Sequence, residues 1–469
     1  MTHPAPDDTA RELPAAPEQV GVPPDEVWGR TSPRDLVGIG IGPANLSLAA
    51  LAQPLEQLDT AFYERRPGFD WHAGLLIEGT TLQVPFLADL VTLVDPASPW
   101  SFLNHLRAKD RLYPFYFAER WHIHRAEYDA YCRWVSERLP GLHFRHRVDT
   151  IRWNPRRALF EVDHTRLDPD GRPHSRHRTP ARHIALGIGT EPHVPEPLRA
   201  LTDDARTPVV HSGDYLHHRD TLLAARHVTV IGTGQSGAEV FLDLLRHRPA
   251  GLENIHWLGR SPAFAPMEYS KLGLEHFTPD YTRYFHQLDE PVRDQLVAGQ
   301  WQLHKGIDTD TIAAIHDELY RRTLDGGRPD THLTPAVHVH TAQRTTEGTV
   351  RLGLEHTQQH TRATLETDAV VLATGYRQRP LDPLLTGLAP HLRRDNAGRP
   401  QIDEHYRLRL DDSITGHVYV QNAELHTHGV GAPDLGLVAW RSATILNTLT
   451  GKEVYRLPRR TAFTTFGLC

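Results

Sequence analysis

The sequence predicts an α/β protein with two Rossmann-like, doubly wound domains and a small helical module. Three observations predict it. Two glycine-rich turns, about 190 residues apart, each follow a short apolar run and open a helix. Strand-like and helix-like segments alternate along most of the chain. The length, 469 residues, exceeds what one hydrophobic core serves.

Residues 1–34 are rich in Pro, Asp, Glu and Ala without an apolar h-region, which predicts a disordered tail rather than a secretory signal. Residues 35–40 read as a strand, 45–52 as a helix and 60–64 as the next strand. A further short apolar run, 185–189, ends in glycines. Residues 227–231 form a second apolar strand, 236–246 an amphipathic helix and 255–259 the strand after it. The stretch 290–323 reads as helical, with Ile307, Ile312, Ile315, Leu319 and Tyr320 near a helical spacing. Residues 369–373 and 418–421 are buried strands, and 438–449 a closing helix. The expected organisation is a discontinuous first domain at 35–220 and 366–451, and a second domain at 221–365. The second domain carries the helical module at about 285–330, and a C-terminal tail follows at 452–469.

Composition narrows the function classes. The net charge of −7 comes with no basic block, which argues against nucleic acid or an anionic membrane as partner. No window offers the ~20 consecutive apolar residues of a membrane span. Two cysteines, Cys132 and Cys469, exclude a disulfide framework and a CxxC redox pair, and fit a reducing cytoplasm. Four lysines against 47 arginines, with 32 histidines and 36 prolines, suggest a GC-rich, actinobacterial type of genome. That bias accounts for His122-Ile123-His124 and His338-Val339-His340, and no metal site is expected.

The first turn reads Gly38-Ile39-Gly40-Ile41-Gly42-Pro43-Ala44-Asn45. Gly40 permits the tight turn, and Gly42 lets the backbone approach a pyrophosphate at the helix N-terminus. Glu64, at the end of the next strand, is placed to hydrogen-bond an adenosine ribose. The second turn, Gly232-Thr233-Gly234-Gln235-Ser236-Gly237, is a full G-x-G-x-x-G. Its following strand ends at Arg260 where the ribose-binding acid would stand, which favours a 2′-phosphate and hence NADPH. A third segment runs from Asp368 into Thr374-Gly375-Tyr376 and reads as a backbone-approach site where the chain returns to the first cofactor. Two such turns predict a flavoenzyme using FAD and NADPH.

Taken together these motifs resemble the N-hydroxylating flavin monooxygenases of siderophore biosynthesis, the lysine and ornithine N-monooxygenase family. The resemblance runs from residue 35 to about 451. It includes Trp71-His72, Leu82-Gln83, Phe86-Leu87, Asp89-Leu90-Val91 and Ser98 to Phe102. It continues through Tyr128 to Trp134, His211-Ser212 with Tyr215, Leu372 to Tyr376, His426 to Gly429 and Trp440-Arg441-Ser442. The resemblance implies that NADPH docked near Gln235 reduces FAD, and that reduced flavin and O2 then oxidise a primary amine. The oxidised nicotinamide stays bound and excludes water. No side-chain nucleophile is needed, because the cofactor carries the hard chemistry. It implies FAD contacts at Gly40, Gly42, Pro43, Ala44, Asn45, Glu64, Arg65, Trp71, His72, Gln83, Thr374, Gly375, His428 and Gly429. NADPH contacts are implied at Gly232, Gly234, Gln235, Ser236, Gly237, Arg260 and Tyr376. Gln83 and Gln235 hold the catalytic positions, and a homo-oligomer, tetramer or dimer, is implied.

Departures from the family pattern bear on the substrate. Family amino-acid hydroxylases usually read Phe-Leu-Lys-Asp-Leu-Val, with the lysine on the substrate α-carboxylate; here the segment is Phe86-Leu87-Ala88-Asp89-Leu90-Val91. Leu274 replaces an Asn or Asp before Glu275, Gly436 replaces a frequent Ser, and Leu303 to Gly306 also differ. A buried α-carboxylate without a partner would cost several kcal/mol. A lysine about 6 Å from a second ammonium would repel it by roughly 2.8 kcal/mol at an effective dielectric near 20. Both arguments favour a diamine, cadaverine before putrescine, since the composition points to desferrioxamine-type siderophores. Asp434 and Glu275 are the candidates for the distal ammonium. A nearby arginine replacing the lysine would instead keep L-lysine or L-ornithine as the substrate. A disulfide reductase is excluded by the cysteines, and a non-catalytic flavoprotein would hold flavin that NADPH cannot bleach.

Overall fold

Each glycine turn leaves its own parallel sheet in the computed structural model, which describes residues 32–202 and 208–468. The expected disordered tail lies outside the described residues except at its end, where Arg34 already begins strand Arg34–Ile39 and pairs with Asp59.

The first sheet orders its parallel strands as Leu142–Phe144, Thr60–Glu64, Arg34–Ile39 and Pro173–Leu186, with Val418–Val420 beyond. Strand Pro173–Leu186 is long enough to serve two partners on one edge. Its first part pairs antiparallel with Leu159–Leu167, which pairs with His146–Asn154, and its end takes Val418–Val420. Helix Pro43–Ala52 packs under this sheet. Pro43 opens it with a pre-set φ, and every residue from Asn45 to Ala52 is buried, so the helix is enclosed rather than amphipathic. Its leucines share a core with Tyr128, Tyr131, Ile445 and Leu446 of helices Arg125–Ser136 and Val438–Thr450.

The second sheet is parallel throughout, in the order Thr331–Thr334, Ile255–Leu258, Val228–Ile231, Ala369–Leu372, Val209–His211. This corrects the expected boundaries. Val209–His211 and Ala369–Leu372 fall on the first-domain side of residues 220 and 366, yet both belong to the sheet of the second turn. Both are short and wholly apolar or nearly so; Ala369–Leu372 pairs with Val228–Ile231, and Val209–His211 pairs in turn with Ala369–Leu372. The two chain crossings lie just outside them, where Thr190–Pro192 pairs antiparallel with Tyr376–Gln378. A second antiparallel meander, Val337–Arg344, Val350–His356 and Thr361–Thr367, packs Val339, Val350 and Leu352 onto this sheet.

The helical module divides between the two halves. Ile312, Ile315 and Leu319 of helix Thr309–Arg321 pack into the core of the second sheet, while Tyr320 is exposed. Tyr281 and Phe285 of helix Pro279–Gln287 pack instead with Val430. The expected C-terminal tail is also corrected, because residues 452–468 dock on the body. Tyr455 Oη donates to Leu51 O at 2.6 Å, Asp280 accepts from the backbone amides of Thr461 and Ala462, and Phe466 packs on His276 and Tyr281. Among the described residues no helix is long and apolar enough to cross a membrane.

Candidate functional site

The first turn is shaped for a backbone-bound ligand. Gly40 stands at φ +85°, and a Cβ there would collide with the carbonyl of Gly187. Around Gly42 the space a Cβ would fill is open. Pro43 and Ala44 begin the helix behind it. Glu64 is buried at the end of its strand, with Oε2 accepting from Ile41 N and Oε1 from Arg66 N, both at 3.0 Å. Burial works against its charge, but the Arg66 guanidinium and the two amides outweigh it and hold the carboxyl below its ordinary range. It therefore stays ionised at the place where ribose hydroxyls would donate to it. Arg65, next to it, is exposed.

Asn45 spends its side chain within the protein. Its Nδ2 donates to Ile39 O, Gly40 O and Ala185 O, and its Oδ1 accepts from Gln421 at 2.6 Å. Fully buried, its side chain ties the helix to two strands where a third glycine would have allowed close approach, which leaves the backbone amide at the helix N-terminus as its group for FAD. His428 and Gly429 lie in the packing between helices. His428 is buried, stacked on Tyr406 at 4.4 Å with Nδ1 beside Thr427 Oγ1. Gly429, at φ +72°, lies against the Phe285 ring. These residues seat helix Pro279–Gln287 on the first domain.

Where the domains meet, Tyr376 packs edge-on against His72 (5.5 Å) and His211 (4.9 Å). Burial, and after it Arg125, pushes His72 down to about 4, so it is neutral at pH 7. Burial pushes Tyr376 up to about 12. Trp71 sits edge-on to His72 and Tyr128, with its backbone amide held by Asp129. Gly375, at φ +80°, faces open space, and the Thr374 hydroxyl donates to His193 O.

The second turn is tighter. Gly232 stands at φ +131°, where a Cβ would meet Ala373 O, and a Cβ on Gly237 would meet Gly232 O. Gly234 caps helix Gln235–His247, whose first residues include Ser236. Arg260 is exposed beside this turn and makes no ion pair among the described residues. Gln235 donates to Glu239 (2.7 Å) and Thr311 (3.1 Å), and accepts from Asp308 N (2.7 Å). Gln83 donates to Thr81 O and accepts from Arg125, which also pairs with Glu239 at 2.8 Å. Sequence reasoning missed Arg125 and Glu239. The only signal was Glu239, one helical turn beyond Gln235.

Among the residues expected to meet the substrate, Ala88 is 5% exposed. Asp89 beside it accepts from the amides of Val91, Thr92 and Phe102, which fixes the segment. Leu274 is exposed. Glu275 is corrected, since its two oxygens hold the amides of Phe463 and Thr464 in the docked C-terminal segment. Asp434 uses Oδ1 on Gly436 N at 2.7 Å, and its second oxygen has no hydrogen-bond partner among the described residues. Burial pushes this carboxyl up to about 6.

The open glycine turns, the ionised Glu64 and the free Arg260 suit FAD at the first turn and NADPH at the second. A family model for L-lysine 6-monooxygenase/L-ornithine 5-monooxygenase matches residues 32–378. The rhizobactin siderophore biosynthesis protein of Rhizobium meliloti is 45% identical, over 92% of this chain and 95% of that protein. The putrescine N-hydroxylase of Acinetobacter baumannii is 36% identical, over 92% and 93%. The FAD-bound crystal structure of the desferrioxamine-pathway cadaverine monooxygenase from Erwinia amylovora superposes with a TM-score of 0.87. It is 37% identical, over 94% of this chain and 99% of that one. The Kutzneria ornithine N-hydroxylase with reduced FAD, NADP+ and L-ornithine superposes with a TM-score of 0.81 and is 28% identical, over 90% and 99%.

Proposed function

We propose an aliphatic diamine as the substrate, from the premise that this chain belongs to the L-lysine 6-monooxygenase/L-ornithine 5-monooxygenase family and is an FAD- and NADPH-dependent N-hydroxylating monooxygenase of siderophore biosynthesis. One terminal amine is hydroxylated, with cadaverine preferred and putrescine the shorter alternative. Bound FAD, reduced by NADPH, supplies oxygen activation, so that RNH2, O2, NADPH and H+ become RNHOH, NADP+ and water.

Ala88 carries this reading. It is buried in a segment held by Asp89, so the position offers no cation. Arg125, the arginine beside Gln83, is a poor substitute for the missing lysine because it is already committed within the protein. Each of its three nitrogens already has an acceptor, and Glu239 neutralises its charge. A substrate α-carboxylate would therefore have to compete with Glu239 for this guanidinium. A distal ammonium fits better, because Asp434 has a free oxygen and a carboxyl whose ionisation a cation would favour.

At the reacting end the amine must be neutral, since only its lone pair attacks. An alkylamine titrates near ~10.4, and desolvation in an apolar pocket lowers that value. The aromatic edges of Trp71 and Tyr376 and the neutral His72 provide such walls without adding a carboxylate that would keep the amine charged. Gln83 and Gln235 then orient the flavin side and the nicotinamide side. The test is a panel of cadaverine, putrescine, L-lysine and L-ornithine scored by hydroxylamine product rather than NADPH loss. Product from the diamines is expected; turnover of lysine or ornithine with none of either diamine overturns the reading.

A further inference from the structure

Arg125 and Glu239 lie outside both glycine turns in sequence, yet each holds one of the two glutamines assigned above to the cofactors. Arg125 opens helix Arg125–Ser136 in the first domain, and Glu239 lies one turn into helix Gln235–His247 in the second. Their side chains are only 11% and 4% exposed, so this is a buried ion pair between domains. The guanidinium divides its donors three ways: Nε to Thr81 O at 3.2 Å, one terminal nitrogen to Glu239 at 2.8 Å and the other to Gln83 Oε1 at 3.3 Å. The second oxygen of Glu239 accepts from Gln235 Nε2, and Gln235 Oε1 accepts from Asp308 N. Asp308 in turn caps helix Thr309–Arg321. An unbroken chain of hydrogen bonds thus runs from Gln83 through Arg125, Glu239 and Gln235 to Asp308.

The ends of the ion pair dictate polarity. A guanidinium only donates and an ionised carboxylate only accepts, whereas a carboxamide has nearly the same shape in either flip. Arg125 therefore selects the flip of Gln83 that turns its NH2 away, and Glu239 selects the opposite flip for Gln235. We propose that Arg125 and Glu239 are a positioning pair that locks both amides and so couples nicotinamide docking on one domain to flavin geometry on the other. The inference rests on the assignment of Gln83 and Gln235 to the two cofactor sides.

The test uses the FAD-loaded enzyme as wild type, Glu239→Gln, Gln235→Ala and the double variant. FAD content, NADPH KM, the rate of flavin reduction and hydroxylated product per NADPH are measured. Glu239→Gln keeps the shape but offers either polarity to its neighbours. Expected is about tenfold slower reduction with less product per NADPH, at unchanged FAD content and nearly unchanged NADPH KM. The double variant should be no worse than Gln235→Ala, a coupling of about 1.4 kcal/mol. Multiplicative effects, with Gln235→Ala itself impaired, overturn the pairing alone. Wild-type reduction by Gln235→Ala overturns the assignment of Gln235 and the proposal with it. If Glu239→Gln does not fold, Arg125→Lys combined with Gln83→Ala carries the same test, because lysine keeps the charge but not the three-way fork.

Discussion

Replacing Asp434 by Asn should make the protein more stable and a poorer enzyme at neutral pH. Burial raises this carboxyl from an ordinary 3.8 to about 6. In the folded state the proton is therefore held more tightly than in the unfolded chain. Ionised Asp434 costs stability fully above pH 6, progressively less as pH falls from 6, and nothing below about 3.8. A shift of about two pH units corresponds to roughly 3 kcal/mol, and partial solvent contact cuts this to about 1–2 kcal/mol. Asn keeps an oxygen for Gly436 N and removes only the charge. Urea unfolding of the FAD-loaded protein should thus show Asp434→Asn more stable by about 1–2 kcal/mol above pH 6, and equal to wild type near pH 4. In the same variant the KM for diamine should rise on the order of tenfold to a hundredfold with kcat little changed, the signature of lost uniform binding. An unchanged diamine KM would refute the role of Asp434 with substrate. A gain in stability that persisted near pH 4 would refute charge as its cause.

Three further changes probe separate parts of the site. Ala88→Lys should raise the diamine KM by about a hundredfold, from roughly 2.8 kcal/mol of repulsion at about 6 Å, and should admit L-lysine or L-ornithine; unchanged kinetics count against the pocket argument. Arg260→Ala should raise the NADPH KM by about tenfold to a hundredfold and leave NADH use unchanged, since a charge-assisted hydrogen bond contributes about 1.5–3 kcal/mol; stopped-flow flavin reduction with both nucleotides checks it. Glu275→Gln weakens the hold on the amides of Phe463 and Thr464, so limited proteolysis should clip the C-terminal segment faster while the diamine KM stays at the wild-type value. A raised KM would return Glu275 to the substrate pocket.

The parts of the fold legible in the sequence are those where backbone geometry limits the residue choice. Gly40 and Gly232 sit at positive φ against carbonyls, so a turn with this function has little alternative to glycine. Val228–Ile231 and Ala369–Leu372 are buried on both faces and read as continuous apolar runs. Sheet membership was not legible, because a run such as Ala369–Leu372 suits either sheet and only its partner decides. The two antiparallel meanders were missed for a different reason. His146–Asn154 has only Ile151 fully buried, and its pairing with Leu159–Leu167 is lined with Arg, Asp and His. The docked C-terminal segment is held at Asp280 and Glu275 largely through its own backbone amides, a mode of attachment without a side-chain signature.

The same distinction separates the site residues that kept their expected place from those that did not. Sequence indicates that a polar group stands near a ligand, but not where its lone pairs are directed. Asn45 spends its side-chain amide on backbone carbonyls and Gln421, and Glu275 spends both oxygens on the chain end. Arg125 and Glu239, 114 residues apart, meet only in the folded chain. Once these pairings are known, the charges around the proposed site can be followed one by one. Glu64 is matched by Arg66, Asp129 by Arg133, and Arg125 by Glu239. Position 88 contributes no cation, and Asp434 keeps an unpartnered oxygen. On the proposed function, a diamine brings its second positive charge alone and would complete this balance, whereas an amino acid brings an α-carboxylate together with its α-ammonium. The missing charge at Ala88 and the spare one at Asp434 are thus two separate observations behind the proposed diamine.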